Sequence, residues 1–380
     1  MKKNILLIAI FCVFCVGALR AQSPVRGLTV NGANDTLRTI ETTPRFVGPT
    51  GELHRYPALT INGQVLPAPD LTALTFEAMT AGAVVTFTPT SYIPTLSIEY
   101  SFNGGAWTNY TAPITLTNVG DKVSFRGNNA AYSVDPDGSD ECSNFSCSDS
   151  CYMYGNIMSL VDATNYPTNT TLTEEFTFSS LFSQNDYIFN HPTQMLYLPA
   201  TTLTNYCYSN MFGGCTELTI APALPATTLA ESCYEGMFNN CLSLTAAPEL
   251  PATTVQAYCY AAMFSGCTNL TTVPSELPAT TLAEYCYKEM FENCKNMTVT
   301  PDLPANTLSV GCYYEMFNGC ARLNRVNCYA TNISATDCIK DWLNGVASSG
   351  SFGRPSSVTV WVIGVNVPSG WTFKSVWIIG

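Results

Sequence analysis

The residues with the most capacity for chemistry are cysteines. Ten of them stand in pairs at one interval: Cys207 and Cys215, Cys233 and Cys241, Cys259 and Cys267, Cys286 and Cys294, Cys312 and Cys320. Thiols can cross-link, hold a soft metal or attack a substrate. Zinc thiolate sites favour close Cys-x₂₋₄-Cys pairs, and the Cys-x₇-Cys interval found here does not fit them. Two readings of the paired cysteines stay open. In one, the first and second cysteines of the pairs form two buried columns of small apolar wedges. In the other, they form disulfides within or between copies, which requires side chains within bonding geometry.

His54 and His191 are the only histidines. A multi-histidine metal centre is therefore excluded, and a Ser-His-Asp or Cys-His relay would rest on one of those two rings. Asp135, Asp137, Asp140 and Glu141 gather four carboxylates around Gly138, chemistry that suits a hard cation. Their spacing completes no EF-hand loop, and the segment reads as a solvated acidic linker. Cys142, Cys147 and Cys151 follow it without a fourth ligand in reach and read as a disulfide plus one cysteine partnered elsewhere. No catalytic residue, metal or cofactor is assigned on these grounds, and the chain is not expected to be an enzyme.

The elements that must position the paired cysteines belong to a tandem repeat. Leu198, Leu224, Leu250, Leu277 and Leu303 open five copies, each carrying Leu-Pro-Ala-Thr/Asn-Thr, an aliphatic residue, Cys-Tyr-x-x-Met-Phe-x-x-Cys and a later Leu or Met. Within a copy, Cys233, Met237 and Cys241 fall at i, i+4 and i+8, the spacing of one face of a short helix. Gly214, Asn240, Gly266, Asn293 and Gly319 precede the second cysteines, and these two residue types tolerate the left-handed backbone that ends a helix. Thr228-Leu229-Ala230-Glu231 and Thr281-Leu282-Ala283-Glu284 fit a capping box. The Thr-rich segments 218–221, 244–247, 270–273 and 297–300, each ended by proline, read as brief strands. Such a unit cannot bury its apolar face alone, so neighbouring copies are expected to stack and pair in parallel.

This pattern resembles the BspA-like leucine-rich-repeat surface proteins of bacteria. The resemblance extends upstream to Gly155-Asn156-Ile157-Met158-Ser159-Leu160 and a degenerate copy around Phe178 to Phe182, and downstream to the cap-like segment Ala335 to Leu343. It implies an exported protein of adhesion or host interaction and transfers no catalytic residues. The expected fold class is α+β: an N-terminal β-sandwich-like module, then a leucine-rich-repeat solenoid with parallel stacked short strands and short helical turns.

Residues 1–21 carry Lys2 and Lys3, the apolar run Ile5 to Val16 and the small residues Gly17, Ala18 and Ala21, the plan of a secretory signal peptide. Its cleavage would remove two of the 17 cysteines and three cations, taking the net charge from −12 to −15. So acidic a product argues against nucleic acid as a partner, and no later stretch is long and apolar enough to span a membrane. Residues 22–130 alternate as β-strands do, for example at Val84 to Thr88, Leu96 to Phe102 and Lys122 to Arg126. Trp107, Tyr100 and Tyr110 lie near the Asn103-Gly104-Gly105 turn, where aromatics either fill cross-strand core positions or form a platform for sugars. The expected plan is thus signal peptide 1–21, β-rich module 22–130, acidic and Cys-containing linker 131–150, and repeat region 151–375 with clear copies at 198–330.

Across the copies the apolar positions hold while those after the second cysteine vary. Thr216, Glu217, Ser243, Thr268, Asn269, Lys295, Asn296 and Arg322 are therefore the candidate ligand contacts. The functional expectation is a surface or secreted binding protein, adhesin-like, for a protein or glycan outside the cell. The alternative is a carbohydrate-binding accessory protein acting through the N-terminal module. The sequence carries no signal for an oligomeric state.

Overall fold

Strand alternation in residues 72–134 is translated directly into buried and open faces. Ala83, Val85 and Phe87 point inward from the strand Ala83–Thr88, as Val123 and Phe125 do from Lys122–Gly127. The computed structural model describes residues 72–93, 96–134 and 141–375, preceded by five short strands at Thr29–Val30, Arg45–Val47, Leu53–Arg55, Leu59–Ile61 and Gln64–Leu66. The signal-peptide segment 1–21 and the acidic residues 135–140 lie outside the described residues.

The chain divides into two compact units, Met1–Pro69 and Asp70–Gly380. In the first, Leu59–Ile61 pairs in parallel with Thr29–Val30 and antiparallel with Gln64–Leu66, and Arg45–Val47 pairs antiparallel with Leu53–Arg55.

The second unit begins with two sheets that share one core. The smaller places Ala83–Thr88 between Ile114–Leu116 and Asn144–Cys147, all antiparallel. The larger runs in the order Ile188–Asn190, Cys151–Asn156, Leu74–Ala78, Lys122–Gly127, Ile98–Phe102, Thr108–Asn109, with Leu196–Tyr197 also paired to Cys151–Asn156. Phe145 of the small sheet lies 5.7 Å from Phe76 and 4.9 Å from Phe125 of the large one, ring centre to ring centre. Strands Ser133–Val134 and Asn144–Cys147 lie within the stretch expected as a linker.

Cys151–Asn156 joins the two halves of this unit. One of its edges is antiparallel to Leu74–Ala78 and the other is parallel to Ile188–Asn190 and Leu196–Tyr197, where the repeat pattern begins. Two features require glycine at position 155 of that seam: its φ is +95°, and a β-carbon there would fall 2.2 Å from the carbonyl oxygen of Ala73.

The expected α+β class, a leucine-rich-repeat solenoid with short helical turns, is corrected by the structure. No α-helix occurs among the described residues, whose single helix is the 3₁₀ turn Ile157–Leu160, and the regular structure is strand in mixed and antiparallel sheets. The physical reason is visible in the first clear copy. Tyr206, Asn210 and Gly214 all have positive φ, at +56°, +49° and +77°, so a left-handed residue interrupts the chain every fourth position. Ser209, Met211 and Gly213 donate their N–H to the carbonyl three residues back, closing successive tight turns. The residues between them, Tyr208, Asn210 and Phe212, send theirs to Cys233, Glu235 and Met237 of the next copy. An α-helix would need each of those donors for the carbonyl four residues back.

The same positions in later copies are also left-handed, and none carries a β-branched side chain, the type that conformation penalises most. The expected capping boxes therefore start no helix: the N–H of Glu231 goes to Asn205 Oδ1 of the preceding copy, 3.2 Å away. The Thr-rich segments pair in parallel, but through single bridges such as Ile220 to Ala246 and Ala246 to Thr272.

Because copy pairs with copy, identical side chains stack. Tyr208, Tyr234, Tyr260 and Tyr287 lie at steps of 5.8, 5.8 and 5.7 Å, and Phe212, Phe238, Phe264 and Phe291 at 5.5, 5.6 and 5.5 Å. The tyrosine column reaches back through Phe178 to Tyr132 of the β-module, and both columns end on Trp342. Beyond it, Arg325–Asn327, Gly350–Arg354 and Trp371–Ser375 form a parallel sheet.

Candidate functional site

The stacked copies fix the backbone at one edge and leave its side chains free to differ. The positions following the second cysteine fall in two columns along that edge. In the first, Thr216 Oγ1 donates to Asp186 Oδ1 of the preceding degenerate copy at 2.7 Å. In the second, Arg322 donates to Asn296 Oδ1 at 3.3 Å and Asn296 Nδ2 to Asn269 Oδ1 at 3.3 Å, a polar chain across three copies. The Ser243 N–H donates to the Thr216 carbonyl. Glu217, Thr268 and Lys295 occupy the same columns. Asn269, Lys295 and Arg322 are exposed, the others half-buried.

The ten paired cysteines line the interior. Each is buried, and all fifteen cysteines of residues 142–338 are free thiols, including Cys142, Cys147 and Cys151. Second-position thiols donate to the carbonyl of the preceding copy's phenylalanine: Cys215 to Phe182, Cys241 to Phe212, Cys267 to Phe238, Cys294 to Phe264 and Cys320 to Phe291, at 3.0 to 3.2 Å. Burial pushes the Cys207, Cys215, Cys259, Cys267, Cys312, Cys320 and Cys328 thiols up to about 12. Such groups stay protonated at neutral pH and are poor nucleophiles.

His191 sits among Tyr152, Tyr154 and Glu77 on the large sheet, its Nε2 3.8 Å from Glu77 Oε2. Its Nδ1 accepts the backbone N–H groups of Thr193 and Gln194 at 3.1 and 3.0 Å. Both ring nitrogens therefore face structural partners. His54 lies in the strand Leu53–Arg55. Among the described residues no group of three or more His, Cys, Asp or Glu is placed to hold a metal ion, and no helix is long and apolar enough to cross a membrane.

The aromatics near the Asn103-Gly104-Gly105 turn are engaged internally. The Arg126 guanidinium lies 4.3 Å from the centre of the Trp107 ring and bonds Glu99 Oε2 at 2.7 Å. Tyr110 accepts the Phe87 N–H at 2.8 Å and packs on Phe87 and Phe125. A flat sugar would have to displace Arg126 to reach that face of Trp107.

A feature the sequence reading missed is a groove of about 810 Å³ where the β-module meets the degenerate first copy. Tyr92, half exposed, and Phe176 give it aromatic walls, while Asn128, Asn129, Glu174 and Glu175 supply its polar groups. The available signal was Phe176, which stands two residues before Phe178 of the interior column, as Tyr206 stands two before Tyr208.

Comparisons with protein-family models, curated proteins and solved structures found no match to this chain.

Proposed function

We propose that this protein is an exported, non-enzymatic binding protein of adhesin type, held at the cell surface or secreted, which recognises a protein or other host ligand through the variable edge of its repeats. The observation that carries this reading is the contrast within each copy. Cys, Tyr, Met and Phe positions are buried and nearly invariant from copy to copy, whereas the column Glu217, Ser243, Asn269, Asn296 and Arg322 changes side chain at three of its four steps on an unchanged backbone. Variable side chains on a rigid, repeating frame can be matched to a ligand without loss of fold. The similarity of the repeat to BspA-like surface proteins and the signal-peptide pattern support the same reading.

The test replaces Thr216, Glu217, Ser243, Thr268, Asn269, Lys295, Asn296 and Arg322 together with alanine and measures binding to immobilised mucin and host extracellular matrix. Binding by the native chain should be abolished in the variant while the melting temperature changes by no more than a few degrees. Binding that survives the exchange discards the edge as the recognition surface.

A further inference from the structure

The groove between the β-module and the first copy has an unusual balance of polar capacity. Asn129 uses its amide internally: Oδ1 accepts the Ser97 N–H at 3.1 Å, while Nδ2 donates to the Ser97 carbonyl at 2.9 Å and to Tyr132 at 2.8 Å. Asn128 Oδ1 accepts the Ala163 N–H at 3.0 Å. Glu175 Oε1 accepts from Asn205 Nδ2 at 2.9 Å, which leaves its second oxygen and both carboxylate oxygens of the exposed Glu174 open. No Lys, Arg or His lines the groove among the described residues.

Phe176 opens a column whose next member, Tyr206, is stacked on it at 4.7 Å and 4°. It is the first ring of that column, so no preceding copy supplies a second neighbour. What faces the cavity is therefore two aromatic rings, the aliphatic side chains of Ile93, Leu96 and Val134, and the Glu174 and Glu175 carboxylates, with the Asn128 amide and the Tyr92 hydroxyl as side-chain donors. An anion would meet two carboxylates with no cationic side chain to offset them. An organic cation is satisfied by all of these groups at once, its N–H donors by the carboxylates and its charge by the ring faces.

We infer that this groove is a specificity pocket for a lysine or arginine side chain of a protein partner, seated between Tyr92 and Phe176 and paired with Glu174 and Glu175. The inference rests on the binding role above and narrows its partner to a protein with an exposed basic segment, to which the acidic chain, net charge −12, is complementary.

The probe is an acetylated, amidated tetra-arginine peptide titrated by calorimetry into the full chain. Saturable binding that weakens with added salt is expected. Glu174→Gln/Glu175→Gln should weaken it at least tenfold and Tyr92→Ala at least threefold. The distant pair Glu249→Gln/Glu276→Gln should leave it within twofold, as should the eight-residue edge variant, so that failure of the pocket and failure of the edge give different results. Each variant is paired with a melting curve, and Phe176→Leu serves as a second probe of the aromatic wall if Tyr92→Ala unfolds. Three results overturn the inference: peptide binding unchanged in the Glu174/Glu175 variant, equal loss in the distant control, or displacement of the peptide by chitotriose.

Discussion

The thiol of Cys267 donates to the carbonyl oxygen of Phe238 at 3.0 Å, tying the end of one copy to the middle of the copy before it. Four equivalent bonds surround this one, so the second cysteine column is a row of interior hydrogen bonds as well as a row of small apolar volumes. Replacing Cys267 with alanine removes both and should cost about 1–3 kcal/mol of stability, read from the denaturant midpoint. A loss below 0.5 kcal/mol would mean that the column merely fills space.

These thiols also set the alkaline limit of the fold. Burial raises Cys267 from its ordinary value of 9.0 to about 12, and six further thiols reach a similar value. Between those values the unfolded chain has lost protons that the folded chain keeps, so stability is full below pH 9 and falls as pH rises toward 12. The slope is about 1.4 kcal/mol per pH unit for each thiol, and seven together exceed an ordinary folding free energy within about one or two units. Cooperative loss of near-ultraviolet dichroism is expected between about pH 10 and 11, with rapid disulfide-reagent labelling only after that transition. Native dichroism retained at pH 12 would contradict the burial of these groups.

The hydroxyl of Tyr208 is buried without a hydrogen-bond partner, and the preceding member of its column is Phe178, which has no hydroxyl to satisfy. Tyr208→Phe should therefore stabilise the protein by about 1 kcal/mol, observed as a rise of a few degrees in melting temperature. A fall would show that the hydroxyl is bonded in solution.

How far the sequence reveals this architecture is best judged on Cys207, Met211 and Cys215. Their burial and their recurrence at steps of 26 or 27 residues were legible because only a packed interior keeps such residues fixed while their neighbours vary. The backbone carrying them was not, since an interval of four residues is common to a helical face and to a succession of four-residue turns. The distinguishing sign lay at Tyr206, Asn210 and Gly214 and their counterparts, where β-branched residues are absent at three positions per copy. A helix closed by Gly214 explains one of those positions, and the turns explain all three. The edge residues could be named as a class because repetition exposes variation. The groove could not, because Tyr92 and Glu174 are distant in sequence and nothing in either segment encodes their meeting.

Gly155 and Gly311 make the final comparison, since both are left-handed but face different obstacles. A β-carbon at Gly155 would meet the backbone carbonyl of Ala73 at 2.2 Å, near the end of the strand that joins the β-module to the repeats. Gly155 cannot retreat without breaking its pairing with Leu196 on the other side. At Gly311 the β-carbon would meet the Tyr285 ring at 2.1 Å, a half-buried side chain on the outer face of the turns that can rotate away. Gly155→Ala should therefore cost about 3 kcal/mol or more and Gly311→Ala about 1–2 kcal/mol, chiefly from backbone conformation. Urea unfolding of the two variants checks the order. Equal losses would show that the seam yields as readily as a surface ring, and that the β-module and the copies are less firmly joined than the shared strand Cys151–Asn156 requires.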